Sequence, residues 1–116
     1  MAATLNLIMR GGNTFTRTFR FQDADGADFD VSDARMVFTA EGGTTSPLQK
    51  DTDVPGSGFA FVSGEPAQVS LSLTADETDG FAGRKVTYEV EYFFQEEQTT
   101  LFEGTISTKR GVNSNV

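Results

Sequence analysis

The amino-acid sequence predicts an all-β antiparallel sandwich of about seven strands. The composition leans towards strand formers, with 11 Phe, 2 Tyr and 15 Thr; aromatic and β-branched side chains suit a pleated, half-buried surface. Apolar residues recur with a period of two, and no window of ten or more residues carries them at helical spacing. Twelve Gly and three Pro punctuate the alternating runs, where strands have to stop. At 116 residues the chain suits one domain, residues 1–110, whose core needs no cross-links to fold. Residues 111–116 read as a C-terminal tail.

Leu5 and Leu7 alternate with Thr4 and Asn6 and open the series. Phe15, Phe19 and Phe21 alternate with Thr14, Thr16, Thr18 and Arg20, and Met36, Phe38 and Ala40 with Arg35, Val37 and Thr39. Arg17 shares the parity of the three Phe residues. Either its stem packs on the core with its head at the sheet margin, or a bulge re-aims it. Residues 42–58 carry two prolines and no alternation, so they read as a loop with a short edge strand at Leu48-Gln49-Lys50. Phe59 and Phe61 form a short strand before the turn Ser63-Gly64-Glu65-Pro66. Val69, Leu71 and Leu73, separated by Gln68, Ser70 and Ser72, give a strand with one dry and one wet face. Val86, Tyr88, Val90, Tyr92 and Phe94 oppose Thr87, Glu89, Glu91 and Phe93 in the longest run, and Phe102, Gly104 and Ile106 close the series. Helix is confined to single turns at Val31-Ser32-Asp33-Ala34 and at Thr74-Ala75-Asp76-Glu77, the second with the Thr and Glu spacing of a capping box. Short strands with turn signals between them are the spacing of an Ig-like sandwich.

The chemistry absent from the chain excludes function classes. There is no Cys, hence no disulfide, thiolate nucleophile or thiolate metal site. There is no His, the commonest general base and zinc ligand. A Ser nucleophile would need a Lys base, and Ser-x-x-Lys does not occur. None of the 17 acids is singled out as a hydrolytic pair. The expectation is a non-enzyme without cofactor. The net charge of −8 argues against nucleic acid and anionic membranes as partners, and no apolar run approaches the roughly 20 residues that span a bilayer. Asp23, Asp25, Asp28, Asp30 and Asp33 superficially resemble a calcium loop. Counted from Asp23, however, Gly26 is fourth rather than sixth, and the twelfth residue is Ala34, not Glu. A solvated hairpin around Asp25-Gly26 is the expectation, with a weak cation site as the alternative.

Charge placement says more than charge total. Residues 1–22 hold Arg10, Arg17 and Arg20 and no acid, and after Glu103 come Lys109 and Arg110, again with no acid. Residues 23–103 hold 17 acids against four bases. First and last strands of such sandwiches often adjoin, which would gather the basic ends in one region of an acidic body. That region is either chance scatter or a docking face for an acidic neighbour. Phe93 and Val37 fall on the wet parity of neighbouring strands. They form either a small apolar patch that a second subunit covers, or side chains tucked under the chain's own loops.

The run Arg10-Gly11-Gly12-Asn13-Thr14-Phe15-Thr16-Arg17-Thr18-Phe19, then Phe21 and Asp23-Ala24-Asp25-Gly26, resembles the opening of the N-terminal domain of tailed-phage baseplate upper proteins. The likeness continues through Phe29 to Phe38, through Val69 to Thr78, and from Gly83 through Tyr88-Glu89-Val90-Glu91-Tyr92 to Ile106. It spans roughly residues 4–108. The resemblance implies an Ig-like structural piece of a bacteriophage virion in the tail, baseplate or fibre attachment region. Such a piece has no catalytic residues, is made in the host cytoplasm, and is present in multiple copies bound to other virion proteins. The alternatives are a capsid decoration protein and a carbohydrate-binding sandwich. The absence of Trp and the apolar parity of both Tyr residues count against the last. Tyr88 sits either as the tyrosine of an Ig-type corner or as a core tyrosine with its hydroxyl at the rim.

Overall fold

The computed structural model describes residues 3–110, apart from the side chain of Arg110; the expected tail at 111–116 lies outside the described residues. The elements in chain order are β1 (Ala3–Thr4), β2 (Leu7–Gly11), β3 (Phe15–Arg20), β4 (Arg35–Glu41), β5 (Leu48–Asp51), β6 (Phe59–Phe61), β7 (Gln68–Leu73), α1 (Ala75–Asp79), β8 (Val86–Phe94) and β9 (Glu97–Arg110). One sheet runs β1-β9-β8-β4-β5, with β2 beside β1 on the same edge of β9; the other runs β3-β7-β6. The two sheets pack as a sandwich.

The period of two decides what lies between the sheets. Met36, Phe38 and Ala40 of β4 and Val86, Tyr88 and Val90 of β8 face Phe19, Val69, Leu71 and Leu73 of the second sheet in one buried cluster. Aromatic rings link the layers: Tyr88, which lies 5.6 Å from Phe38 in its own sheet, is 6.4 Å from Phe19, and Phe38 is 6.4 Å from Phe59.

The expected seven strands become nine. The edge strand at 48–51 is real, and the first strand is broken in two. Nor is the sandwich wholly antiparallel, because β1 and β2 both pair parallel with β9, Ala3 opposite Phe102 and Leu7 opposite Ile106. The break at Leu5 and Asn6 has a physical cause. The backbone there presses onto Gly104, where a Cβ would lie 2.2 Å from the Leu5 carbonyl oxygen, so only glycine admits the crossing. The backbone groups freed by the break find other partners, as buried polar groups must. The Leu5 N–H donates to the Glu103 carbonyl at 2.9 Å, and the Asn6 side-chain oxygen accepts from the Thr105 N–H at 3.1 Å. The Tyr88 hydroxyl donates to the Leu5 carbonyl at 2.5 Å. Tyr88 is therefore a core tyrosine tied to the break between β1 and β2, 83 residues away in sequence, not a corner tyrosine bonded to backbone a few residues upstream. Burial pushes its hydroxyl up to about 12, with the Arg17 charge pulling the other way.

At the helix, Thr74 caps α1 and completes the capping box with Glu77. Glu77 also binds Lys50, whose side chain points inward from β5 opposite Phe38 and is buried. A buried ammonium is tolerated only when paired. Here Nζ lies 2.8 Å from Glu77 Oε1 and donates to the Ser57 carbonyl at 2.8 Å. The 52–58 loop and α1 are thereby fastened to one sheet edge. The other expected helical turn, at residues 31–34, is a hydrogen-bonded turn without helix, closed by the Ala34 N–H on the Val31 carbonyl at 3.0 Å.

Two outcomes follow for stability. Val90→Ala or Leu71→Ala, each deleting a fully buried side chain, is expected to cost ~2–4 kcal/mol through the cavity it leaves, read as a lowered denaturant midpoint. Tyr88→Phe keeps the ring but orphans the Leu5 carbonyl, so about 1–3 kcal/mol is expected to be lost. The same denaturant titration measures it.

Candidate interaction surfaces

The outer face of the larger sheet carries the alternate residues of β4, β8 and β9. Register places Arg35 opposite Phe93 and Val37 opposite Glu91, so Phe93 and Val37 are diagonal neighbours on adjoining strands, on the outer face that their parity predicts. They do not form an open apolar patch. Val37 is only 6% exposed, and Phe93 is half-buried with the Arg35 guanidinium 5.4 Å above its ring. Arg35 is held there by Asp51 at 2.6 Å and by Asp53 at 4.0 Å. The neighbouring Gln98 amide donates to Glu91 at 2.6 Å. Cation–π contact and ion pairing roof over what parity alone leaves wet. Further along this face Glu89 lies directly opposite Glu103, in a shallow depression also lined by Thr39, Thr87 and Thr105.

The basic residues divide. Arg10 of β2 lies opposite Lys109 of β9, so the two chain ends do adjoin, and the Arg110 backbone pairs with Gly11. Arg110's side chain lies outside the described residues. Arg17 and Arg20 do not join them, because the chain reverses at Gly12 and Asn13 and β3 enters the other sheet. Arg17 projects outward from an inward-facing position opposite Leu71 on an edge strand, which is the snorkelling arrangement rather than a bulge. Arg20 lies at the far end of β3, paired with Asp28 at 2.8 Å. In their place stand Arg84 and Lys85, which immediately precede β8 and line a groove with Lys109. The sequence signal for these two is the dibasic pair before Val86; its meaning depends on knowing that β8 begins beside the end of β9.

The opposite end of the molecule is acidic. The Asp-rich segment is a hairpin turn: Gly26 has φ +82°, and the Asp23 carboxylate accepts from the N–H groups of Asp25 at 2.9 Å and Ala27 at 3.0 Å. Asp30 accepts from the Ser32 hydroxyl at 2.6 Å, which holds its carboxyl below the usual range. These carboxylates serve their own turn, and among the described residues no three His, Cys, Asp or Glu side chains are grouped to hold a metal. The loop carries Phe29 onto Tyr92, with ring centroids 5.7 Å apart, and Tyr92 in turn lies 6.2 Å from Phe94. Phe29 remains 37% exposed. These rings occupy the inner face of the β8–β9 hairpin. Burial pushes the Tyr92 hydroxyl up, and so do the carboxylates of Glu97, Asp30 and Asp33. At about 3.3 Å per residue, the 14 residues of β9 run the full 45 Å long axis of the molecule. The acidic aromatic tip and the basic end therefore sit at opposite ends of one rod.

No protein-family model matches the chain, and no curated protein matches it in sequence.

Acid should loosen the roof over Phe93. Arg35's hydrogen bond holds the Asp51 carboxyl below its ordinary 3.8. A lowered carboxyl contributes stability above its unfolded value and loses it as pH falls through the folded one. Asp51→Asn is expected to melt below the parent at pH 7 and to converge with it as pH falls below 3.8. Melting curves across that range check it.

Proposed function

We propose that this chain is a non-catalytic structural component of a bacteriophage particle, in the tail, baseplate or fibre attachment region, acting through contacts with other virion proteins. The observation that carries an assembly role is the separation of charge along the 45 Å axis. Arg10, Arg84, Lys85 and Lys109 stand at one end, where they outnumber Glu41, Asp76 and Asp79, and Asp30, Asp33, Glu96 and Glu97 stand at the other. Charge set apart in this way orients a partner more than it stabilises a fold. Many copies then turn weak oriented contacts into a durable assembly. The phage setting rests on the order and spacing of the motifs from Arg10 to Ile106. A glycan-binding role is less well supported. Tyr88 is enclosed in the core, and Tyr92 is half-buried between Phe29 and Phe94.

The test is detection of the chain in purified particles by quantitative mass spectrometry, with heads and tails separated. Several copies per particle in the tail fraction are expected. Recovery with heads alone would move the protein to capsid decoration, and absence from both fractions would overturn the structural role.

A further inference from the structure

We infer that the acidic aromatic tip of one copy binds the basic end of a second copy, a head-to-tail contact along the long axis. This rests on the assembly role proposed above and supplies its partner: the same chain.

The tip is an apolar sheet face that nothing in its own chain fully covers. Tyr92 and Phe94, half-buried on the inward parity of β8, are extended by Phe29 from the 21–34 loop, which is itself 37% exposed. Glu97 stands opposite Phe94 in register, Asp30 directly follows Phe29, and the charges of Glu97, Asp30 and Asp33 add to burial in pushing the Tyr92 hydroxyl up. Aromatic faces edged by carboxylates suit a guanidinium or ammonium group, which gains from the ring quadrupole and from the opposite charge together.

The complementary groups stand at the far end of the same rod. Among the described residues, the cations that form ion pairs are Arg20, Arg35 and Lys50. Arg10, Arg17, Arg84, Lys85 and Lys109 are exposed and form none, and all of these but Arg17 stand at that far end. Their half of the molecule also holds Glu41, Asp76 and Asp79, with Asp79 Oδ1 beside Gly11 at the end of β2, so the four cations outnumber the three acids there rather than standing apart from them. Side-by-side association would set net −8 against net −8. At about 0.1 M salt the Debye length is about 10 Å, well short of the 45 Å rod, so only facing ends attract.

Size sets the strength. The 26 × 24 Å cross-section limits the contact to about 600 Å² per copy, at the low edge of stable interfaces. The contact is therefore weak in solution and heterologous, so it extends or closes into a ring rather than stopping at a dimer.

Sedimentation velocity of the full chain tests this, at concentrations from about 10 μM to 1 mM, the range for an interface of this size. The expected result is concentration-dependent association at about 0.1 M salt that fades towards 1 M. A basic-end variant (Arg84→Gln, Lys85→Gln, Lys109→Gln) and a tip variant (Asp33→Asn, Glu97→Gln) should each associate about tenfold more weakly or less, with unchanged melting temperatures. Phe29→Ser, at an exposed loop position, should act like the tip variant. Mixing basic-end and tip variants should restore one contact only and yield 1:1 complexes that grow no further. A parent chain that stays monomeric, variants that associate as the parent does, or a mixture that gives no complex would each overturn the contact. A monomeric chain that is nonetheless a particle constituent would overturn the contact alone and leave the structural role standing.

Discussion

The bond from the Tyr88 hydroxyl to the Leu5 carbonyl ties together parts of the molecule that nothing local could bring into contact. Tyr88 lies at the centre of the core, between Phe19 of one sheet and Phe38 of the other. Its hydroxyl needs a partner because a buried polar group without one costs more than the bond itself contributes. The partner is available only because Gly104, its neighbour in register, lets the N-terminal strand cross close by. Where β1 breaks and β2 resumes, Leu7 and Met9 enter the core and Arg10 is delivered to the end of β9. Core packing, strand register and the position of a surface cation thus share one constraint.

The charged surface follows from the topology built on that constraint. β9 runs the length of the molecule, so whatever flanks its two ends is held at opposite poles. The hairpin leading into it ends in Glu96 and Glu97, and the Asp-rich loop is drawn to the same pole because Phe29 packs on Tyr92. At the other pole the start of β8 brings Arg84 and Lys85 beside Lys109. The ion pairs within the fold behave differently. Lys50 with Glu77 and Arg35 with Asp51 neutralise charge where they lie, and they serve to fasten the edge strand and to cover Phe93 and Val37. Apart from Arg17, which stays unpaired on β3, the described cations are either paired within the fold or left at one end of it.

Most of the strand pattern was legible because a half-buried sheet writes its period of two directly into the chain. The run Val86 to Phe94, the dry face Val69-Leu71-Leu73 and the capping box at Thr74 and Glu77 all occupy their predicted places. The break at Leu5 was hidden, since the alternation of Leu5, Leu7 and Met9 continues unbroken across it. The edge strand at 48–51 was only half visible, because its inward position is held by Lys50, a residue that reads as exposed until its partner Glu77 is in view. Val37 lies on the outer face as predicted yet is buried, because the neighbours across and along the sheet supply its cover.

By itself, then, the sequence determined which residues form strands, which side of each strand is dry, and where turns and the helix cap fall. These depend on contacts within a few residues, and period and turn chemistry record them. Only the tertiary structure decided which strands adjoin. That choice sent Arg17 and Arg20 away with β3, brought in Arg84 and Lys85, and turned Phe29, Tyr92 and Phe94 into one surface at the acidic pole. The reason is geometric. Alternation fixes a side chain's face but not its neighbour, and the sum of charges around a point depends on distances through space that chain order does not contain.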